Sequence, residues 1–132
     1  MFSQSAKYAI KAALFLSVYS DENKKFSFKE IAKEIDAPAA FTAKVLQELG
    51  KKNFVSSTKG KHGGFFLTDS QKNNSLFELI NEIEGREKLS LCVLDNAHCH
   101  AQNPCALHAL IYPKQHEMLA GLKEKKLLNF AE

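Results

Sequence analysis

Residues 54–68 have the sequence FVSSTKGKHGGFFLT. A short run rich in β-branched and aromatic residues stands at each end, which is typical of two β-strands. Between the runs lies a turn with the glycines Gly60, Gly63 and Gly64 and with Lys59, Lys61 and His62. The pattern therefore predicts a β-hairpin with a basic tip. Such a tip can press against a phosphate backbone or enter the minor groove of DNA.

Three helices are predicted upstream of this hairpin. Apolar residues recur at helical spacing over about 4–19, 28–35 and 39–52. Ser27 begins the second helix as the cap of a capping box, and Pro38 ends it because the residue before a proline avoids helical geometry. Helix, short helix, tight turn, helix and hairpin is the order of a winged helix-turn-helix. We therefore expect a mainly α fold with a small β-hairpin wing.

The third predicted helix has one apolar side and one side of small and polar residues. A helix in the major groove needs one face bonded to its scaffold and one face free for base edges. Lys44, Gln47 and Lys51 can reach phosphates or bases. Ala40 and Ala43 are small enough for close approach or for contact with a thymine methyl group. With the wing, the candidate DNA contacts are Ala40, Phe41, Ala43, Lys44, Gln47, Lys51, Lys59, Gly60, Lys61, His62, Gly63 and Gly64.

Each of these features is also compatible with an ordinary structural role, as a solvated lysine face or a simple glycine turn. Their ordered combination favours DNA, and a protein-interaction module on the same scaffold is the alternative. Residues 1–68 carry 11 lysines against 6 acidic residues, whereas residues 69–132 carry 7 basic residues against 9 acidic ones. This asymmetry indicates an anion-binding head with a different second part, although a solvated lysine-rich surface gives the same charge.

Composition limits the class of protein. The apolar fraction of 45% is ordinary for a globular chain. No apolar run approaches the roughly 20 residues that a membrane span needs. The apolar stretch 9–18 resembles a signal-peptide core, but no small-residue cleavage site follows it. We therefore expect a cytoplasmic protein without a membrane partner.

Three helical segments are predicted downstream of the hairpin. Ser75 begins the first within a second capping box, and Gly85 is a natural stop. Pro104 is placed to start the next, because proline suits the first helical position. Pro113 is expected to interrupt that helix. Residues 115–129 form the last predicted helix.

The cysteines are clustered, at the spacing Cys92-x6-Cys99-x5-Cys105-x2-His108. An odd number of clustered cysteines argues against a disulfide framework and favours metal binding or redox chemistry. Cys105 and His108 are expected at positions i and i+3 of one helical face, where both can bind one metal centre. The preceding loop can bring the other two thiols to the same place. Thiolate and imidazole suit zinc, copper(I) or an iron–sulfur cluster.

Three alternative roles stay open for the clustered cysteines. They can be three unrelated thiols, a reversible thiol switch or a structural zinc site of the Cys3His type. His98 and His100 are further candidate ligands, and His116 is expected at the surface. An enzyme has the least support, because the sequence lacks paired carboxylates, a Ser/His/Asp set and a phosphate-binding loop. Cys105 and His108, if on one helical turn, are better placed to ligate than to attack.

One set of motifs spans nearly the whole chain. It comprises Lys7-Tyr8-Ala9 with its apolar continuation, the helix pair around Ile31-Ala32 and Leu46, Val55-Ser56-Ser57, Lys59-Gly60, Gly63-Gly64-Phe65, and finally Cys92, Cys99, Cys105 and His108. This set resembles the Rrf family of bacterial winged-helix transcription regulators, of the IscR and NsrR type. The wing motif alone is moderately specific for this family. The wing motif together with the cysteine set is strongly specific for it.

The resemblance implies a homodimer on double-stranded DNA with a long C-terminal dimerisation helix. It also implies an iron–sulfur cluster, 2Fe–2S in kind, held by three cysteines and one histidine. Zinc stays the alternative cofactor, because its ligand set is the same. Cluster status would alter DNA binding in response to iron, redox state or nitric oxide. The implied division is a winged helix-turn-helix DNA-binding domain over 1–85, a cysteine-bearing cluster loop over 86–104 and a dimerisation helix region over 105–132.

The chain departs from the family pattern at several positions. Some relatives complete a cluster with a carboxylate from the partner's first helix, but residues 1–20 contain no Asp or Glu, so His108 gains weight as the fourth ligand. Ala43 stands where some relatives have an acidic residue. Lys59 stands where arginine is common, and lysine lacks arginine's fixed fork of donors. Pro113 falls where relatives have a continuous helix, so a differently shaped dimer arm is expected.

Overall fold

The computed structural model describes residues 2–85, 92–94, 96 and 98–130. Its elements are α1 (Gln4–Tyr19), α2 (Phe28–Glu34), α3 (Ala39–Lys51), β1 (Ser56–Thr58), β2 (Gly64–Phe66), α4 (Asp69–Lys72), α5 (Leu76–Glu84), α6 (His108–Glu124) and a C-terminal 3-10 helix (Leu127–Phe130). The order confirms a mainly α winged-helix fold with one antiparallel hairpin. No helix within the described residues is both long and apolar enough to cross a membrane.

Polar caps set where the helices begin. The Ser27 hydroxyl accepts a hydrogen bond from the N–H of Glu30, and the Glu30 carboxylate accepts one from the N–H of Ser27. An equivalent box from Ser75 begins α5. Both predicted capping boxes are therefore confirmed, and such a cap stabilises a helix by about 1 kcal/mol. A third box, from Thr68, begins the short helix α4, which the sequence pattern did not predict.

The wing, formed by β1 and β2, also pairs with a third stretch of backbone, at Phe26. β1 and β2 place Ser57 opposite Phe65. Phe65 also exchanges two backbone hydrogen bonds with Phe26, at 3.0 and 2.7 Å. A Cβ atom at Gly64 would lie 2.8 Å from the Phe26 carbonyl oxygen, and the φ of +148° at Gly64 also favours glycine. The missing side chain therefore lets the wing lie directly against the segment that enters α2.

The core lies where α1 packs against α3 and α5. The buried face of α1 begins with small residues, namely Ala6, Ala9, Ala12 and Ala13. Phe54, Val55 and Leu67 are also buried, although they lie just outside the observed strands. The predicted β-prone runs 54–58 and 65–68 therefore extend beyond the observed strands at 54–55 and at 67–68, and the second run omits Gly64, where β2 begins.

The end of the chain packs onto this core. Leu127 is fully buried, and its carbonyl accepts a 3.0 Å hydrogen bond from the buried Ser17 hydroxyl of α1. The N–H of Leu76 donates to the carbonyl of Lys125 at 2.9 Å, and the N–H of Leu127 donates to the carbonyl of Asn74 at 3.0 Å. The last described residues therefore pack on the winged-helix head (residues 2–85). The assignment of 105–132 to dimerisation stays a prediction.

α6 differs from its prediction at both ends. It begins at His108 and not at Pro104, and it ends at Glu124, so the predicted helix over 115–129 is too long. The backbone leaves the helix after Glu124 because Lys126 forms a bridge with Ser75 at the start of α5.

Pro113 lies inside α6 and does not interrupt it, so the predicted break is wrong. Proline removes one N–H, whose helical partner would be the carbonyl of Ala109 four residues earlier. Ala109 and Pro113 are both exposed. Water can therefore bond to the freed carbonyl, which lowers the cost of proline at this place.

Candidate metal centre and nucleic-acid interface

Three thiols converge near the start of α6. The Sγ atoms of Cys92, Cys99 and Cys105 all lie within 4.8 Å of one another. The sulfurs of Cys92 and Cys105 are 3.6 Å apart. All three cysteines are free and half-buried. We call these three residues the thiol triad, and the structure brings them together as their spacing predicts.

A tight turn holds two members of the triad side by side. The backbone groups of His100 and Asn103 exchange hydrogen bonds of 3.3 and 2.9 Å, which reverses the chain. The N–H of Cys105 then donates to the sulfur of Cys99 at 3.3 Å. The N–H of Cys99 donates to the carbonyl of Asn96 at 3.1 Å. The protein backbone itself therefore fixes the Cys99 sulfur.

His108 contacts the triad on the Cys99 side. Its Nδ1 atom lies 3.4 Å from the Cys99 sulfur, but the imidazole is not within 4.8 Å of all three sulfurs. Cys105 and His108 do not share a helical face, contrary to the prediction, because α6 begins only at His108. The His108 N–H donates to the Cys105 carbonyl at 3.1 Å, so a turn relates the two residues.

The environment separates the pKa values of two triad thiols. Backbone hydrogen bonds from Asn96 and Leu94 lower the pKa of Cys92 from its ordinary value, because they stabilise the thiolate. At Cys99 the backbone N–H of Cys105 also lowers the pKa, but burial and the neighbouring thiols of Cys105 and Cys92 together outweigh it, so this pKa is raised. Cys92 is therefore the more readily ionised of the two.

A cavity of about 250 Å³ opens beside the triad. Besides the three cysteines, its walls include His100, Leu107, His108, Ile111 and Tyr112. His100 accepts a 3.2 Å hydrogen bond at Nδ1 from the N–H of Gln102. His98 is exposed, as is His116, which agrees with the expected surface position of His116. Neither His98 nor His100 joins the group of sulfurs within 4.8 Å.

The chemistry of these donors selects among ligands. Three thiols and one imidazole are soft donors that suit zinc, copper(I) or an iron–sulfur cluster and do not suit magnesium or calcium. No carboxylate joins the group among the residues that the structure describes. The residues present therefore fit any of these three thiophilic groups. Tyr112, which also lines the cavity, is absent from the sequence prediction, since its type alone carries no metal signal.

α3 presents the predicted polar side to solvent. Ala40, Lys44, Gln47 and Lys51 are exposed, and Ala43 is half-buried. The opposite side of α3 buries Thr42, Val45, Leu46 and Leu49 in the core. The helix therefore has the two faces that major-groove binding requires.

Phe41 has a different environment from the other candidate contacts on α3. It is half-buried, and its ring packs edge-on against Tyr8 of α1 with the centroids 5.1 Å apart. Phe41 therefore helps to attach α3 to its scaffold. Its contact with DNA stays a prediction.

The wing tip is open to solvent beside a groove. Lys59, Gly60, Lys61 and His62 are exposed, and Gly63 and Gly64 are half-buried. The groove, of about 740 Å³, runs between α3 and the hairpin, with Lys51 on one side and Lys59 on the other. Its two walls therefore both carry positive charge, as a phosphate-binding surface requires.

Residues 2–132 match the family model of Rrf2, described as an iron-dependent transcriptional regulator. The chain belongs to the Rrf2 family. A curated relative of this Rrf2 chain is the HTH-type transcriptional repressor NsrR of Streptomyces coelicolor, which is 27% identical over 114 residues, or 86% of this chain and 76% of NsrR. The family assignment confirms the resemblance that the wing and cysteine motifs indicate.

Solved structures support the fold of the Rrf2 chain. CymR, the global cysteine regulator of B. subtilis, aligns with a TM-score of 0.77 and 17% identity, over 99% of this chain and 95% of CymR. T. potens IscR aligns with a TM-score of 0.71 and 20% identity, over 100% of this chain and 88% of IscR. Because relatives across the Rrf2 family are named as transcriptional regulators, the chain is a DNA-binding regulator and not an enzyme.

Proposed function

We propose that this regulator holds an iron–sulfur cluster of the 2Fe–2S kind on Cys92, Cys99, Cys105 and His108, and that the state of the cluster adjusts its affinity for double-stranded DNA. The observation that carries the proposal is the convergence of three half-buried sulfurs within 4.8 Å, with an imidazole nitrogen 3.4 Å from one of them. The family's description as iron-dependent regulators supports iron as the metal.

The residues around the site have separable roles in this proposal. The three cysteines bind as thiolates, and the Cys105 N–H donates to the Cys99 sulfur at 3.3 Å. Such hydrogen bonds help to set the reduction potential of an iron–sulfur centre. His108 is the ligand that is lost first, because a neutral imidazole holds iron less firmly than a thiolate does. When bound, the cluster supplies a centre that responds to redox change, nitric oxide or iron scarcity.

The head supplies the DNA contacts in this proposal. α3 enters the major groove with Lys44, Gln47 and Lys51, and the wing places Lys59 and Lys61 on the phosphate backbone. The chain acts as a cytoplasmic homodimer, so two copies of α3 must match half-sites about 34 Å apart. A small rotation between the two heads therefore changes the affinity sharply.

Metal analysis of anaerobically purified protein tests the cofactor. We expect visible absorption with about two irons and two acid-labile sulfides per chain. About one zinc per chain without iron or sulfide would show that the site is a structural zinc site and not a cluster site. Protein that takes up neither group after anaerobic reconstitution would contradict both.

A gel shift against the protein's own upstream DNA tests the regulation. We expect a specific shift whose midpoint differs about fivefold or more between the cluster-loaded and cluster-free forms. Equal midpoints for the two forms would mean that the cluster does not adjust DNA binding and has only a structural role. Absence of binding in both forms, across salt concentrations, would favour a protein-interaction module.

One distance favours a second candidate, a reversible thiol switch. The sulfurs of Cys92 and Cys105 are 3.6 Å apart, and a disulfide forms at about 2.0 Å after a small movement. The two thiols would lose two protons and two electrons to a peroxide, which is reduced to water. A Cys92–Cys105 cross-link in peroxide-treated protein that contains no metal as purified would favour this switch over the cluster.

A further inference from the structure

Three aromatic rings form a column along one side of α6. The imidazole of His108 and the phenol ring of Tyr112 are stacked, with centroids 4.7 Å apart and planes at 10°. The other face of Tyr112 meets His116, with centroids 5.8 Å apart and planes at 21°. These residues are four positions apart, which makes them neighbours on a helix surface. The column therefore runs from the thiol triad out to solvent.

The stack constrains the histidine that faces the thiol triad. Rotation of the His108 ring about its bond to Cβ would break the nearly parallel contact with Tyr112. In the stacked orientation, Nδ1 points to the Cys99 sulfur at 3.4 Å. The orientation of a metal-binding imidazole is usually fixed by a partner beyond the ligands themselves. Here the ring face of Tyr112 is the partner that fixes the His108 imidazole.

Tyr112 also borders the space where a ligand would sit. Its side chain lines the same cavity as Cys92, Cys99 and Cys105, while 48% of the residue remains exposed. Tyr112 therefore borders both the cavity and solvent. Loss of the ring would both free the imidazole and open this side of the cavity to water.

We infer that Tyr112 is a positioning residue for His108, which it holds in the ligating orientation by ring stacking. This inference rests on the proposed function only in taking His108 as a metal ligand. The stacked face does the positioning, and the hydroxyl group does not. Tyr112→Phe keeps the stack, whereas Tyr112→Leu removes it and keeps an apolar residue that suits a helix.

The stack itself is tested first in metal-free protein by NMR. Stacking shifts the ring protons of His108 upfield, and we expect this shift in the native protein and in Tyr112→Phe but not in Tyr112→Leu. Tyr19→Leu is the matched control, since Tyr19 is 54% exposed on α1. Native-like His108 shifts in Tyr112→Leu would overturn the inference.

The consequence for the site is tested with cobalt(II) as a spectroscopic probe metal. We expect Tyr112→Leu to release cobalt to a chelator about 10-fold faster than the native protein, while Tyr112→Phe and Tyr19→Leu stay within about twofold of it. Circular dichroism checks that α6 remains folded. A Tyr112→Phe variant as weak as Tyr112→Leu would assign the effect to the hydroxyl and contradict stacking.

The two hypotheses fail in different ways. If cobalt spectra of native and His108→Ala protein are identical, His108 is not a ligand, and the proposed ligand set fails together with the positioning role. If His108→Ala changes the spectrum but Tyr112→Leu neither changes it nor speeds metal release, the ligand set stands. Only the inference about Tyr112 fails in that case.

Discussion

The Nζ atom of Lys52, at the C-terminal end of α3, lies 2.5 Å from the main-chain oxygen of Glu82 and 3.7 Å from its carboxylate. Glu82 stands in the last turn of α5, ahead of the chain that continues to Cys92. The contact therefore joins the candidate DNA-reading helix to the helix that precedes the thiol triad. An exposed ion pair contributes only about 0–1 kcal/mol of stability. We therefore expect the contact between Lys52 and Glu82 to couple the thiol triad to α3, with little effect on stability.

We expect Lys52→Met to leave the free energy of unfolding within about 1 kcal/mol of the native value. The ratio of DNA affinities between cluster-loaded and cluster-free protein should nevertheless fall toward one, because a link between the two sites is lost. Fluorescence anisotropy with labelled promoter DNA measures both affinities. Lys114→Met removes an exposed lysine on α6 and should keep the native ratio. If the two variants have equal ratios, the contact does not communicate.

We expect Cys105→Ala to lose the cofactor without losing the fold. The triad is half-buried at the surface of the described structure, outside the apolar core. Iron and sulfide analysis should show loss of the group, while the far-ultraviolet circular dichroism and the thermal midpoint of the metal-free forms should agree. Collapse of the variant would point to structural zinc, since such sites stabilise the fold directly.

Lys44→Ala and Lys61→Ala should each weaken promoter binding and lower its salt dependence. Each phosphate contact contributes about 0.9 to the slope of log affinity against log salt concentration. Titrations at several salt concentrations measure this slope. Lys114→Ala is the control for total charge. Slopes equal to the native value in both head variants would contradict the placement of α3 and the wing on DNA.

Gly63→Ala should destabilise the wing. A Cβ atom there would lie 2.3 Å from the carbonyl oxygen of Thr58, so the hairpin backbone must move. We expect a loss of about 1–3 kcal/mol in urea unfolding, together with weaker DNA binding. Gly121→Ala meets no atom within 4 Å inside α6 and should be neutral or stabilising by up to about 1 kcal/mol. Equal stability of the two variants would contradict the tight turn.

In metal-free protein near neutral pH, iodoacetamide should modify Cys92 before Cys99. The pKa of Cys92 is lowered and that of Cys99 is raised, so below the ordinary thiol pKa more of Cys92 is thiolate, the reactive form. Above both pKa values the preference should shrink, because both thiols are then ionised. Time-resolved peptide mass spectrometry measures the order. The reverse order at neutral pH would mean that the backbone donors to Cys92 are absent in solution.

Local signals made much of the fold predictable. The caps at Ser27 and Ser75 act on N–H groups only three residues away, so sequence alone reveals them. Leu127 is different, because its carbonyl bonds to Ser17, 110 residues earlier. No local pattern encodes that distance, and the predicted last helix therefore extends too far.

The candidate site was predictable in membership but not in geometry. Clustering alone indicated that the three cysteines would meet. The prediction that Cys105 and His108 lie on one helical face is wrong, because the chain makes a turn before α6 begins. The stack on Tyr112 depends on that starting point, since the ring lies four residues after the first residue of the helix. No local sequence signal encodes such a stack.

The burial of Leu127 has a mechanical consequence for α6. The 17 residues of this helix span about 25 Å. One end carries His108, and the other leads into a segment pinned in the core. If α6 tilts as a rigid rod about this buried end, a shift of about 1 Å at His108 corresponds to a tilt of roughly 2°. The displacement of the helix residues in such a tilt grows from Leu119 to Leu110. A molecule bound near Leu110 would therefore be displaced by nearly as much as His108.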